Sequence, residues 1–329
     1  MCVAYLKHMA RGKKRQRGAP QSMRFALGAM TVAMVAIVLH NGDESEPPRD
    51  PWPCADSATD CAARVAGQPC NRPSLLRECA ATCGLCSPAC ERTNATPALG
   101  PGGVQAVAAR ALSMEWLSPS LLHEDPPIVQ LDRFLTDDEA DAIASMCKDE
   151  FSRSLAGDSV SDVRTSNQCW CMDDGCTRHP AVERVLQRAH NVTMTSSLTS
   201  EYMQIIKYER GQFYRTHHDQ NTAAEAPQGP RVFTLFFYLN TPGEGGATAF
   251  TDLGISVTPR KGRAVLWPSV LDGDPERADM RTHHEARSAG DTKMGANIWF
   301  HLYDWKTPSR RGCSLLHHNS FAPDEQPEA

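Results

Sequence analysis

Short runs of mostly hydrophobic residues recur between polar segments from residue 128 onwards. These runs are rich in β-branched or aromatic residues and are separated by glycine and proline turns, a pattern that predicts strands. The predicted strands are residues 128–131, 202–208, 232–239, 247–252, 263–267 and 296–302. Many short strands without an internal repeat favour a β-sandwich or a jelly roll.

A helix is predicted directly after the first strand. Thr136, Asp137, Asp138 and Glu139 have the Ser/Thr-x-x-Glu spacing in which side chains satisfy the exposed amides of a helix start. The domain from 126 to 306 is therefore expected to be mainly β with flanking helices.

An apolar run of fifteen residues, 25–39, follows a basic segment that contains no acid. The run is shorter than the roughly 18 residues that span a bilayer comfortably, so a cleaved signal peptide and a buried helix of a cytosolic protein are alternatives. The long basic segment and the end of the run at Val38, Leu39, His40 and Asn41, without small residues suited to cleavage, favour an uncleaved anchor. We predict a cytosolic tail (1–24) and a transmembrane signal-anchor (25–40).

Because basic residues stay on the cytosolic side, the rest of the chain is expected in the lumen, as a single-pass type II protein of the endoplasmic reticulum or Golgi membrane. The thirteen cysteines fit an oxidising compartment. Asn94 and Asn191 each begin a sequence that can accept a glycan there.

Six cysteines lie close together after a polar stem (41–53), between Cys54 and Cys86. So short a stretch cannot build an adequate core, and six half-cystines predict a module stapled by three disulfides. A linker (87–125), the main domain (126–306) and a polar tail (307–329) complete the predicted organisation. Cys169, Cys171 and Cys176, with His179 nearby, suggest disulfides or, alternatively, a zinc site.

Charge and composition narrow the function. The net charge is -5 and the basic residues are concentrated at the start, so the remainder is acidic, which argues against nucleic-acid binding. A hydrophobic content of 41% is ordinary for a globular protein.

The candidate chemistry begins with His217-His218-Asp219. Residues i and i+2 of a strand point to one face, so His217 and Asp219 can converge on one metal ion while His218 points away. Two histidines and one carboxylate hold Fe(II) in non-haem oxygenases. The second histidine must come from a distant strand: His284 is the candidate, and His283 is an alternative.

The segment that surrounds these residues resembles the catalytic core of prolyl 4-hydroxylases, especially the monomeric plant and algal type. The resemblance rests on several motifs in order: Tyr208-Glu209-Arg210-Gly211-Gln212-Phe213-Tyr214, Tyr238-Leu239-Asn240, Gly245-Gly246-Ala247-Thr248-Ala249-Phe250 and Gly295-Ala296-Asn297-Ile298-Trp299. It implies a double-stranded β-helix (jelly roll) and hydroxylation of proline in peptide or protein substrates, with decarboxylation of 2-oxoglutarate to succinate.

The resemblance also implies the site residues. His217, Asp219 and His284 would bind Fe(II), Lys293 would pair with the distal carboxylate of 2-oxoglutarate, and Thr234 and Tyr208 would be hydrogen-bonding neighbours of that co-substrate. Ascorbate is the implied reductant. The stretch from His284 to Lys293 is one residue shorter than is usual in the family, and Ser288-Ala289 replaces its usual Pro-Val.

The cysteine block resembles the ShKT module in its Cys54-Ala55-Asp56, Gly67-Gln68-Pro69-Cys70 and Cys79-Ala80-Ala81-Thr82-Cys83-Gly84-Leu85-Cys86 segments. This resemblance implies the disulfides Cys54–Cys86, Cys61–Cys79 and Cys70–Cys83. Two other functions stay open: a dioxygenase that acts on another side chain, and an inert oxygenase domain linked to a ShKT module that binds a partner.

Overall fold

The computed structural model describes residues 56, 58–66, 79, 81–82, 92, 96–148, 150–156, 160–220, 222 and 226–310. The predicted signal-anchor, the stem and nearly all of the polar tail lie outside these residues. No helix among the described residues is long and apolar enough to cross a membrane.

Eight strands form one sheet in the order β1-β2-β10-β7-β14-β5-β4-β3, and all its pairings are antiparallel. They are β1 (Pro119–Glu124), β2 (Pro127–Leu131), β3 (Ser152–Arg153), β4 (Asn167–Trp170), β5 (Gln204–Tyr208), β7 (Arg231–Tyr238), β10 (Ala264–Pro268) and β14 (Lys293–His301). The central strands β7 and β14 are almost wholly buried, as expected for strands covered on both faces.

Four further strands form a smaller antiparallel sheet in the order β6-β13-β8-β9. They are β6 (Tyr214–His217), β8 (Thr248–Phe250), β9 (Ile255–Val257) and β13 (His284–Ala286). A two-stranded pair consists of β11 (Val270–Leu271) and β12 (Asp274–Ala278). The described catalytic region is thus mainly β, as the sequence predicted.

Six helices lie among the described residues: α1 (Cys61–Val65), α2 (Gly103–Leu112), α3 (Asp137–Ser145), α4 (Asp174–Thr177), α5 (Pro180–Thr193) and α6 (Lys306–Arg310). Short 3₁₀ turns occupy Glu115–Leu117 and Met280–Thr282. Helix α5 buries Val182, Val185, Ala189 and Val192, which recur at helical spacing. This stripe joins the apolar cluster formed by α2, α3 and the large sheet.

The structure differs from the predicted linker at residues 103–124. This segment forms α2 and β1 instead of an unpacked connection. Val104, Val107, Ala108 and Ala111 are buried on one face of α2, and β1 pairs with β2. Small alanines in a stretch rich in glycine and proline concealed this helical face from the sequence reading.

Three disulfides are described. Cys61–Cys79 joins the two cysteines that the ShKT resemblance paired, so this prediction is confirmed. Cys147–Cys169 and Cys171–Cys176 confirm disulfides over a zinc site, and the Nδ1 atom of His179 instead accepts a hydrogen bond from the Ala181 amide at the start of α5. Cys54–Cys86, Cys70–Cys83, Cys90 and Cys313 lie outside the described residues.

The predicted capping box is present at the start of α3. Thr136 Oγ1 accepts from the Glu139 amide, and Glu139 Oε2 accepts from the Thr136 amide. The same buried carboxylate also accepts from Arg188 at 2.8 and 3.1 Å and from Arg184 at 3.2 Å, both on α5. Glu139 therefore links two helices that cover the large sheet.

Replacing Glu139 by alanine should lower the free energy of unfolding by about 3 kcal/mol, since it removes the cap and leaves the largely buried Arg188 without its acid. Chemical denaturation measures this loss. Glu183→Ala, at an exposed position of α5, is the matched control and should change stability by less than about 0.5 kcal/mol. Equal effects of the two substitutions would contradict the role of Glu139.

Candidate functional site

Two histidines meet across neighbouring strands of the small sheet. His217 is the last residue of β6, His284 is the first of β13, and the two are directly paired in the register of these strands. Asp219 follows two residues after His217. Its Oδ1 lies 3.8 Å from His217 Nε2, and its Oδ2 lies 3.6 Å from His284 Nε2.

The three side chains form a candidate metal site. One donor atom from each lies within 4.8 Å of the others, and no other such group occurs among the residues that the structure describes. Two imidazoles and one carboxylate on one side of an ion leave its remaining positions open. The chemistry of this donor set fits the Fe(II) implied by the resemblance.

Backbone carbonyls orient both imidazoles. His217 Nδ1 lies 2.9 Å from the Arg215 carbonyl, and His284 Nδ1 lies 3.0 Å from the Thr282 carbonyl. A carbonyl only accepts, so each Nδ1 carries the proton and each Nε2 keeps a free lone pair. In both histidines, Nε2 is the nitrogen nearest Asp219, as metal coordination requires.

Electrostatics keep Asp219 and His217 in their ligand forms. Burial raises the pKa of Asp219, but His284, His217 and the hydrogen bond from Thr234 lower it more, and the pKa falls to about 2. Burial, reinforced by His284, lowers the pKa of His217 well below its ordinary value. The carboxylate is therefore charged and His217 neutral near pH 7.

The neighbouring histidines point elsewhere. His218 Nε2 contacts the Asp279 carbonyl at 2.9 Å and Thr282 Oγ1 at 3.0 Å. His283 Nδ1 lies 3.0 Å from Asp252 Oδ2. The geometry therefore places His284, and not the alternative His283, beside His217 and Asp219.

Lys293 begins β14 and is completely buried. Its Nζ has no hydrogen-bond partner among the described residues and lies between three aromatic rings, 5.1 Å from the Tyr208 centroid and 5.6 Å from those of Phe236 and Tyr238. Burial lowers its pKa to about 7. A buried ammonium without an acceptor is costly, so this environment suits an anionic ligand that pairs with it.

The loop before Lys293 packs on the predicted double glycine. The Gly246 amide donates to the Ser288 carbonyl at 2.8 Å, and Gly245 bridges to Ala289. A Cβ on Gly246 would lie 3.1 Å from Ala289 Cβ and 3.2 Å from Lys293 Cδ, and its φ of +72° also favours glycine. The shortened loop is thus accommodated by close backbone approach.

Thr234 and Tyr208 take different positions beside these groups. Thr234 Oγ1 donates to Asp219 Oδ2 at 2.6 Å, so its hydroxyl is a direct neighbour of the metal-site carboxylate. Tyr208 is buried opposite Lys293 in the β5–β14 register, and burial raises its pKa to about 12. Contact of either hydroxyl with a co-substrate stays a prediction.

Sequence reasoning gave no role to several polar side chains at the site. Tyr214 stacks on His217 with ring centroids 3.5 Å apart, and the Arg164 guanidinium lies 4.6 Å from the Tyr214 centroid. Arg231 bonds to the Asp219 carbonyl at 3.2 Å and pairs with buried Glu201 at 2.6 Å. Tyr214 ends one of the quoted motifs, whereas Arg164 and Arg231 lie outside them, and spacing alone gave no indication of these contacts.

Comparison with known proteins gives two family matches. Residues 203–301 match the 2OG-Fe(II) oxygenase superfamily, and residues 53–86 match the ShK domain-like family. The first match covers His217, Asp219, His284 and Lys293.

Curated relatives match over the same region. The chain is 29% identical to prolyl 4-hydroxylase subunit alpha-2 of Gallus gallus over 54% of this chain and 34% of that protein. It is 28% identical to prolyl 4-hydroxylase subunit alpha-2 of Caenorhabditis elegans over 58% of this chain and 37% of that protein. The chain thus spans about a third of the length of these relatives.

Among solved structures, a viral collagen prolyl hydroxylase of Paramecium Bursaria Chlorella virus-1 aligns with a TM-score of 0.44 at 24% identity, over 53% of this chain and 96% of that chain. The family matches and the curated relatives confirm the resemblance found in the sequence. Residues 203–301 of this chain are thus similar to the 2OG-Fe(II) oxygenase superfamily and residues 53–86 to the ShK domain-like family, and the curated relatives that it matches are prolyl 4-hydroxylase subunits.

Proposed function

We propose that this protein hydroxylates proline in peptide or protein substrates of the secretory pathway, with decarboxylation of 2-oxoglutarate to succinate. One observation carries the proposal: the His217, Asp219 and His284 cluster occurs in the same domain as Lys293, a buried cation with no acceptor among the described residues. The relatives named prolyl 4-hydroxylase support proline as the target.

The residues present have distinct tasks in this proposal. His217, Asp219 and His284 hold Fe(II), while Lys293 binds the distal carboxylate of 2-oxoglutarate, whose negative charge compensates the buried ammonium. Dioxygen is the oxidant: bound Fe(II) would supply the chemistry by which one oxygen atom goes to succinate and the other to the new hydroxyl group. The apolar walls around Lys293 exclude water from the co-substrate, and Thr234 keeps the Asp219 carboxylate in place.

The substrate would enter beside His217, because this ligand is the least enclosed of the three. Its side chain is 18% exposed, whereas those of Asp219 and His284 are each 6% exposed. Tyr214, which stacks on this ring and is itself partly exposed, would lie beside the entering substrate.

The remaining sequence-based expectations belong to the same proposal. They are a jelly-roll catalytic domain, ascorbate as the reductant, an N-terminal signal-anchor, a lumenal domain in the endoplasmic reticulum or Golgi, and a ShK module that binds a partner. The described disulfides are compatible with an oxidising lumen.

Metal binding should depend on His284 and not on its neighbour. His284→Ala and His217→Ala are each expected to abolish stoichiometric Fe(II) binding, because the remaining two ligands hold the ion poorly, whereas His283→Ala should retain it. Anaerobic titration with Fe(II) measures the affinity. Loss of binding in His283→Ala with retention in His284→Ala would instead assign the ligand to His283.

Lys293→Ala should weaken 2-oxoglutarate binding by about 10- to 100-fold, the range for a charge-assisted hydrogen bond, while Fe(II) binding persists. Calorimetry on the Fe(II)-loaded protein without oxygen measures both constants. Lys261→Ala removes a lysine that pairs with Asp141 on the surface and is the control. Unchanged 2-oxoglutarate affinity in Lys293→Ala would remove Lys293 from the site.

The affinity for 2-oxoglutarate should fall as pH rises above about 7. The free Lys293 loses its proton there, yet the carboxylate binds the protonated form, so binding takes up a proton. Tyr208 and Tyr238 face this ammonium and stay neutral, since burial raises the pKa of both. Dissociation constants at pH 6.5, 7.5 and 8.5 test this. Lys293→Arg, which remains charged, should show a flatter dependence if it binds.

Hydroxylation itself is tested with proline-rich and lysine-rich peptides, Fe(II), 2-oxoglutarate and ascorbate. We expect hydroxyproline and succinate in equal amounts from the proline peptides, and neither product from His217→Ala. Turnover of lysine peptides alone would establish a dioxygenase with a different target. Fe(II) and 2-oxoglutarate binding without turnover of either class would favour an inert domain beside a partner-binding ShK module.

A further inference from the structure

A chain of buried amides crosses the large sheet close to the metal site. Gln204 on β5 lies at its centre: Oε1 accepts from Asn297 Nδ2 on β14 at 3.3 Å, and Nε2 donates to Gln168 Oε1 on β4 at 2.7 Å. The same Oε1 accepts from Arg164 Nη2 at 3.2 Å. Two donors converge on this oxygen, so the orientation of the Gln204 amide is fixed.

Each nitrogen of the Arg164 guanidinium donates a hydrogen bond. Besides Gln204, it donates to the Leu155 carbonyl at 3.0 Å and to Ser166 Oγ at 3.3 Å. The residue is buried and has no carboxylate within ion-pair distance among the described residues. Its position therefore depends on neutral acceptors, of which Gln204 is the one that belongs to the centre of the large sheet.

The guanidinium faces the strand that carries a metal ligand. The guanidinium lies over the Tyr214 ring. Tyr214 in turn stacks on His217, with an angle of 16° between the two ring planes. Arg164 also bridges to Tyr214 through the backbone, and the Thr165 amide donates to the Phe213 carbonyl at 2.8 Å. Residues 163–165 thus cover the free edge of β6.

This edge needs support. β6 is the outer strand of the small sheet; β13 is the one strand of that sheet that pairs with it, and the pairing contains an irregularity. On the other edge, backbone bonds from residues 163–165 reach only as far as Arg215, two residues before His217. His217 is also more exposed than the other two ligands. Side chains packed on β6 must therefore add to the constraint on this imidazole.

We propose that Gln204 is a positioning residue for the metal site. Through Arg164 and Tyr214 it couples the large sheet, which carries Lys293, to the edge strand that carries His217. This coupling fixes the His217 imidazole relative to Asp219 and His284. The inference rests on the proposed function only in taking these three residues as metal ligands, and it does not depend on which substrate is hydroxylated.

Two substitutions at Gln204 separate hydrogen bonding from packing. Gln204→Leu keeps similar volume but removes the acceptor for Arg164, and we expect about tenfold weaker metal binding, at the lower end of the range for groups that orient ligands. Gln204→Glu keeps an oxygen that accepts from Arg164, and Gln168 can turn its amide to donate to the new carboxylate. Its metal affinity should lie within about twofold of the wild type.

Gln168→Leu is the matched control. It removes another buried amide contact of Gln204, but Asn297 and Arg164 still fix the Gln204 oxygen, so metal affinity should again stay within about twofold of the wild type. Co(II) serves as the probe, since its visible absorption reports ligand geometry in addition to affinity. Thermal unfolding of the metal-free variants shows whether each one is folded.

The expected result is a weakened and spectrally altered Co(II) site in Gln204→Leu, with near-normal sites in Gln204→Glu and Gln168→Leu. Wild-type Co(II) binding by folded Gln204→Leu would overturn the proposal. Equal losses in Gln204→Leu and Gln204→Glu would also overturn it, because packing would then explain both. Failure of the wild type to hydroxylate proline peptides would leave these metal measurements interpretable, so the two proposals fail separately.

Discussion

The site is organised around the buried carboxylate of Asp219. A charge removed from water must be compensated: the Thr234 hydroxyl donates to Asp219, and the charge of Arg231 lowers its pKa. His217 and His284 turn Nε2 towards the carboxylate, where a metal cation would be held. The histidines belong to the small sheet, whereas Thr234 belongs to β7 of the large sheet. One carboxylate thereby joins the two sheets at the point where the metal would bind.

Two buried charged groups of the site, Asp219 and Lys293, differ in their surroundings. Asp219 has a hydrogen bond from Thr234, while Lys293 has aromatic rings around it and no acceptor in the part of the chain that the structure describes. Burying an unpaired lysine destabilises the folded protein, unless an anionic ligand pairs with the ammonium group. Asp219 has its hydrogen-bond partner within the protein, whereas Lys293 is left to pair with an anionic co-substrate beside the metal site.

The supporting shell is more polar than the strand pattern suggests. Gln204, Gln168, Asn297 and Arg164 form a connected set inside a sheet that otherwise buries large apolar side chains. Connected buried polar groups tolerate little displacement, because each lost bond leaves a desolvated atom. Rigidity of this kind is useful near His217, because β6 is the outer strand of the small sheet, and it is the basis of the positioning role proposed for Gln204.

The sequence by itself determined the strand pattern, the capped helix at Thr136, the dioxygenase resemblance and the ShK module. Each of these depends on a local pattern in the sequence: runs of β-branched and aromatic residues, a capping box, or motifs with fixed spacing. It also predicted His217, Asp219, His284 and Lys293 as the site. The structure brings donor atoms of the first three within 4.8 Å of one another, and their role as metal ligands stays a prediction.

Only the tertiary structure decided which side chains contact and orient those residues. His284 and His283 are adjacent and equivalent in sequence, and the register of β13 against β6 separates them, since a shift of one residue turns the other imidazole inward. The helix within the predicted linker is stabilised by burying its alanines and valines against the sheet, a contact that no local pattern shows. Arg164, Gln204 and Asn297 come from three distant segments, and no local pattern can show that they share one buried network, because that depends on the pairing of strands far apart in the chain.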